Sequence, residues 1–244
     1  MRGFLIALTF LTRLPFPAPQ AVSESEFKRS QHYYPLVGLT LGILLWLIAY
    51  ASRLAYPPIV SGGIILAAEI FLTGGIHLDG FMDSMDGLLS AREPERMLEI
   101  MKDSRVGAHA SISLGALLIL KFALLVSLSS SGLKILILVP MLSRWAFLIG
   151  VIGFPYARKE GLGKGFHESS RWLVFASEGA LIFILAYLVT GYAGLAAGVS
   201  ALAGAFLFAY KTAHLLGGLT GDLYGALIEL SEVVALLAAV PFLT

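Results

Sequence analysis

The sequence predicts an all-α fold: a polytopic membrane bundle of about seven spanning helices behind one short interfacial helix at the N-terminus. Three observations predict it. Hydrophobic residues make up 57% of the 244 and charged residues only 14%, with a mean hydropathy of +0.84, too oily for an ordinary soluble domain. Apolar stretches near the ~20 residues that a bilayer crossing needs fall at 36–52, 58–78, 106–127, 133–153, 172–190, 193–210 and 223–243. The charges between them are lopsided. With the N-terminus on the cytoplasmic side, that side receives Arg2, Arg13, Lys28, Arg29, Arg92, Arg96, Lys102, Arg105, Arg158, Lys159, Lys164, Arg171 and Lys211, and the other side only Arg53 and Lys134. Such an excess orients a bundle by the positive-inside rule. It places every long polar segment on the cytoplasmic face of the plasma membrane.

The run from Gly3 to Leu14 has a basic start and a short apolar core, interrupted by Thr9, Thr12 and Arg13 and followed by Pro15, Pro17 and Pro19. It reads as an interfacial helix ending in an extended proline turn, and not as a cleaved signal. No later stretch is long and polar enough to fold alone, so residues 1–244 read as one integral-membrane unit. The chain has no cysteine, which excludes disulfides, thiolate metal sites and a cysteine nucleophile. The expected surroundings are a lipid bilayer and no nucleic acid; self-association into a homo-oligomer stays open.

The informative segment is Gly-Gly-Ile-His-Leu-Asp-Gly-Phe-Met-Asp-Ser-Met-Asp-Gly at 74–87, with Asp79, Asp83 and Asp86 at i, i+4 and i+7. On a helix these carboxylates occupy a sector of roughly 60° over about 10 Å of rise. Three unpaired carboxylates that close repel one another, and partial burial makes their charges more costly. A hard divalent cation such as Mg²⁺, shared with substrate phosphates, relieves that repulsion through oxygen ligands. The bland alternative is a solvated acidic helix end.

Downstream, Asp103 is a fourth candidate ligand, flanked by Lys102 and Arg105, with Arg92 nearer the triad. Cations beside metal-binding acids suit a pyrophosphate. His77 and His109, close to span ends, are candidates to orient a substrate hydroxyl or act as general base, although interfacial histidines more often only hydrogen-bond. The glycine-rich basic loop 156–166 offers Arg158 and Lys164 to an anion. Near the C-terminus, Asp222, Glu229 and Glu232 fall within roughly 80° on a helix, and acids at membrane depth face a bundle interior or a hydrated cavity. Glu69, Arg144 and Lys121 belong with them, and an ion pair between Arg144 and one glutamate is the purely structural alternative. A faint internal echo links Gly74-Gly75 before Asp79 to Gly217-Gly218 before Asp222; chance explains it about as well as duplication does.

Ordered blocks along the chain resemble the adenosylcobinamide-GDP ribazoletransferase (cobalamin 5′-phosphate synthase) family. They are Phe10-Leu11-Thr12-Arg13-Leu14-Pro15, Tyr34-Pro35-Leu36-Val37-Gly38, the segment from Gly74 through Gly87, Ser90-Ala91-Arg92, Met97 through Gly107, Glu160-Gly161-Leu162-Gly163, and Gly218 through Asp222 with Glu229-Leu230. Asp83-Ser84-Met85-Asp86-Gly87 is also similar to the core of the CDP-alcohol phosphotransferase motif. There the likeness stops, because three residues, not two, separate Gly87 from Ala91-Arg92.

The first resemblance implies that adenosylcobinamide-GDP and α-ribazole, or its 5′-phosphate, are joined with release of GMP. The mechanism expected for that reaction has Mg²⁺ held by Asp79, Asp83 and Asp86, with Asp103 as a candidate fourth ligand, and Asp83 accepting the proton of the attacking hydroxyl. Arg92, Lys102 and Arg105 then stabilise phosphate charge, while Asp222 and Glu229 shape a substrate or second metal site. The rival reading is an ion-coupled secondary transporter, for which the acids should concentrate at mid-membrane instead of beside basic loops.

Overall fold

Apolar runs broken by few charges make the long helices of this chain, and glycine or proline marks many of their ends. The computed structural model describes residues 1–158, 161, 166 and 172–244. Along them run α1 (Arg2–Leu11), α2 (Glu24–Ser30), α3 (Tyr34–Ala55), α4 (Pro58–Thr73), α5 (Ile76–Leu88), α6 (Pro94–Ile100), α7 (Ala108–Ser127), α8 (Val139–Gly153), α9 (Trp172–Thr190), α10 (Tyr192–Leu216) and α11 (Gly221–Ala239). No strand occurs among the described residues; one isolated bridge joins Tyr156 and Leu219.

Among the described residues, α3, α7, α8, α9, α10 and α11 with their flanking turns are long and apolar enough to cross a membrane. Helices α4 and α5 meet that test only as a pair, bent by 91°. The stretch 58–78 is therefore not one straight span. It breaks at Gly74-Gly75, whose φ angles of +64° and +70° lie where a Cβ is disfavoured. At Gly74 an added Cβ would also stand 2.4 Å from Arg13 Nε.

Contacts at the helix ends fix the direction of α4. At one end of the bundle, Arg53 donates to the Leu125 and Leu128 carbonyls at 3.3 and 3.0 Å, tying the end of α3 to the end of α7. At the other end, the Arg13 amide that follows α1 donates to the Leu72 carbonyl at 2.7 Å. Helix α4 thus carries the chain across, and α5 turns over the far end, outside the spanning segments. The same end gathers α1, the 154–158 segment and the start of α11.

Burial sorts the helices into centre and rim. Of its most apolar stretch, 89% is buried for α8 and 72% for α11, against 17% for α9. Small residues at Ala193, Ala197, Ala201, Ala205 and Ala209 form a buried stripe on α10, the spacing that lets helix backbones approach closely in lipid. Outward faces carry exposed Phe71, Ile112, Ile119, Leu173 and Leu188, as contact with acyl chains requires.

Candidate active site

Glycine decides how the acid-bearing helices meet. Where α5 crosses α11, Gly80 and Gly225 lie face to face: a Cβ on Gly80 would stand 2.8 Å from the Asp222 carbonyl, and one on Gly225 would stand 3.0 Å from that of His77. This contact brings Asp79 and Asp83 of α5 to Asp222 of α11. The aspartates that follow the two Gly-Gly pairs, Asp79 and Asp222, lie close enough to raise one another's charge cost.

The end of α8 completes the cluster. The Ala157 amide donates to the Leu219 carbonyl and the Leu219 amide to the Pro155 carbonyl, both at 2.8 Å. This stitching delivers Arg158 to Asp222, with Nη2 at 2.7 Å from Oδ2. Thr220 caps α11 by accepting from the Leu223 amide.

Negative charge exceeds positive here. Burial pushes the Asp83 carboxyl up to about 6, and the charges of Asp79, Asp222 and Asp86 add to that, with Arg158 opposing them. Asp79, Asp83 and Asp222 share one guanidinium, a deficit that fits a hard cation with oxygen ligands. Among the described residues, no three His, Asp or Glu side chains converge as a ready metal cage.

Asp86 has a second occupation. Its Oδ2 accepts from the Gly107 amide at 2.6 Å and its Oδ1 from the Ala110 amide at 2.7 Å. The carboxylate thereby satisfies orphan donors at the start of α7 and meets its positive dipole end. The four-acid ligand set expected from the sequence divides accordingly. Asp79 and Asp83 stand with Asp222, whereas Asp86 and Asp103 line a separate open depression of about 380 Å³ with Arg105 and His109.

In that depression, Arg105 Nε donates to Asp103 Oδ1 at 3.0 Å, and these hydrogen bonds draw Asp103 down to about 2. Arg92 and Lys102 are exposed nearby in sequence. Lys164 lies outside the described residues.

Beside the Asp79 cluster lies a cavity of about 280 Å³, with Asp79, Asp222 and His77 in its wall and Phe10, Tyr34, Phe147, Phe166 and Tyr224 around them. Tyr34 stacks on Phe147 with centroids 5.5 Å apart, and Phe147 meets Tyr224 edge-on at 5.2 Å. Sequence reasoning did not find this aromatic wall. Its members come from α1, α3, α8 and α11, with Phe166 from between α8 and α9, and no periodicity links them.

Glu229 belongs to a different constellation. Lys121 Nζ contacts Glu69 at 2.9 Å, Glu229 at 2.9 Å and Glu232 at 2.7 Å, and Arg144 Nη1 holds Glu232 at 2.7 Å. Ser143 adds a hydrogen bond to Glu232 at 3.1 Å. The structural alternative raised for Arg144 is therefore realised, through Glu232. These interior acids are paired with fixed cations.

A many-helix membrane protein with an acidic cluster beside an aromatic cavity is the class that fold and site define. Comparison with known sequences narrows it. The model of the cobalamin-5-phosphate synthase family matches residues 3–240. The chain is 58% identical to the adenosylcobinamide-GDP ribazoletransferase of Desulfitobacterium hafniense (strain Y51), over 100% of this chain and 98% of that one. It is 42% identical to the protein of that name from Ectopseudomonas mendocina (strain ymp), over 96% of each. To that from Roseiflexus sp. (strain RS-1) it is 40% identical, over 94% of this chain and 86% of the other. No solved structure matches. The chain belongs to the cobalamin-5-phosphate synthase family. None of these comparisons supports a transporter.

Proposed function

We propose that this chain joins adenosylcobinamide-GDP to α-ribazole or its 5′-phosphate, giving adenosylcobalamin or its 5′-phosphate and GMP, on the cytoplasmic face of the plasma membrane. The observation that carries the reading is the meeting of Asp79, Asp83 and Asp222 beside Arg158 and an aromatic cavity, in a chain whose relatives bear the name of that transferase.

The ribazole hydroxyl attacks the phosphorus that bears the cobinamide aminopropanol. The new P–O bond forms as the bond to GMP breaks, and the hydroxyl proton goes to a base. Asp83 suits that role: a carboxyl pushed up to about 6 is ionised at neutral pH yet basic enough to take a proton in the transition state. Asp79 and Asp222 carry the oxygens that would hold Mg²⁺ together with the substrate's phosphates, leaving Asp83 to act as the base. When bound, the ion supplies charge neutralisation to the diphosphate and to departing GMP. Arg158, partly buried and held against Asp222, is placed to meet a phosphate oxygen. Arg105 stands at the second depression, with Lys102 exposed nearby in sequence, where they would add positive charge for the rest of a long substrate.

The 280 Å³ cavity lies near the small end of the range for ligand sites, ~300–1,000 Å³. It fits a fused-ring base and not a corrin macrocycle, so the corrin stays outside it. Purified protein in detergent with Mg²⁺ and both substrates tests the proposal. GMP release that requires both of them is expected; its absence refutes the reading.

A further inference from the structure

Three carboxylates and two cations meet inside the bundle, and their charges do not balance. Lys121 of α7 holds Glu69 of α4 at 2.9 Å and, from α11, Glu229 at 2.9 Å and Glu232 at 2.7 Å, while Arg144 of α8 pairs with Glu232 at 2.7 Å. His77 of α5, 3.4 Å from Arg144, adds no charge, because burial and then Arg144 hold its imidazole down to about 3. Glu232, Lys121 and Glu229 are the charges that act most strongly on Glu69. Fully ionised, the cluster carries one uncompensated negative charge. An unpaired charge at such depth is costly enough that a group is neutralised instead.

The geometry says what supplies the missing positive charge, and where. Glu69 and Glu232 stand within hydrogen-bonding reach of each other. An ionised carboxylate can only accept, so two of them approach that closely with a proton between. A metal ion does not fit in its place. Lys121 already occupies the point where the three acids converge, and the crevice lined by Glu69 and Arg144 has no room for a water molecule. Glu232 is the acid least suited to carry the proton, since it accepts from Lys121, from Arg144 and, at 3.1 Å, from Ser143. Glu69 and Glu229 each accept from Lys121. Of these two, Glu69 is the one that meets Glu232.

We propose that the bundle interior is a proton-binding site, in which Glu69 is a neutral acid that donates its O–H to Glu232 while its Oε1 accepts from Lys121. The proton makes the network electrically neutral and leaves Glu232 ionised for both Lys121 and Arg144. It is what allows one lysine to bind three acids, and so joins α4 to α7, α8 and α11. Helix α4 runs on into α5, so the same join anchors the helix that bears Asp79 and Asp83. The inference stands apart from the transferase reading.

Infrared spectroscopy of the full-length protein in detergent tests this, at a pH well above the value of about 6 at which Asp83 loses its proton. The expected signal is the C=O stretch of a protonated carboxyl, shifted in D₂O and lost in Glu69→Gln. That variant should fold and melt no lower than wild type, because its amide donates where the acid O–H donated and its oxygen still accepts from Lys121. Glu232→Gln, which strips Arg144 of its partner, should melt well below wild type.

A wild-type spectrum without that band, or a band of unchanged intensity in Glu69→Gln, would overturn the assignment. So would a Glu69→Gln protein that fails to fold or melts as low as Glu232→Gln, since the acid would then be needed as an anion. A wild-type melting midpoint that rises with Na⁺ at constant ionic strength would put a metal ion where the proton is assigned, and overturn it equally.

Discussion

Asp86 of α5 holds the backbone amide of Gly107 at 2.6 Å, so one member of the acid face is the cap of α7. A structural acid and chemical acids thus share one helix, and substitution should tell them apart. Asp86→Ala removes a side-chain cap, a change worth about 0.5–2 kcal/mol. A lowered midpoint in thermal unfolding in detergent is expected for Asp86→Ala. Asp83→Asn should leave that midpoint unlowered while slowing GMP release by about a hundred-fold or more.

Gly80 sets the distance between α5 and α11. A methyl group at this position meets the Asp222 carbonyl at 2.8 Å, a backbone atom that cannot rotate away. Gly80→Ala should push the helices apart and lower kcat by at least ten-fold, with a smaller change in the thermal midpoint. Steady-state kinetics beside a melting curve checks this.

The buried ions predict the largest stability effect. Lys121→Met leaves Glu69, Glu229 and Glu232 without their shared cation, and breaking a buried pair by removing one partner costs about 3–5 kcal/mol. Its unfolding midpoint should fall further than that of any single variant at the acid cluster. An unchanged midpoint would show that the network does not stabilise the bundle.

A pH window follows from Asp83. Its carboxyl is raised from 3.8 to about 6 in the folded protein, so the folded state holds a proton that the unfolded chain has already lost. That contribution to stability is present below about 4 and declines as pH rises to about 6. In EDTA, the melting midpoint of wild type should fall across that interval relative to Asp83→Asn. Asp103, drawn down to about 2 by Arg105, acts in the opposite sense and lower, losing its contribution as pH drops from about 4 towards 2.

The sequence made the bundle and the acid face legible for clear physical reasons. Hydropathy and loop charge report membrane crossing directly, and a spacing of four and three residues reports a shared helix face. The bend at Gly74-Gly75 was harder to see. An apolar stretch gives no sign that its last residues, 76–78, begin a new helix at 91°. The pairing of Asp86 with the start of α7, of Arg158 with Asp222, and of Lys121 with three glutamates depends on closeness between distant segments. So does the aromatic cavity, whose Tyr34, Phe147, Phe166 and Tyr224 look like ordinary core residues when read along the chain. Only the repeated Gly-Gly hinted that Asp79 and Asp222 belong together.

The most direct test of the central claim is the dependence of GMP release on Mg²⁺ in wild type and in Asp83→Asn. The account predicts release that rises and saturates with Mg²⁺, stops in EDTA, and falls by about a hundred-fold or more in the variant, the scale expected when a group stabilising the transition state is lost. Turnover that persists in EDTA, or an Asp83→Asn protein as fast as wild type, would contradict it.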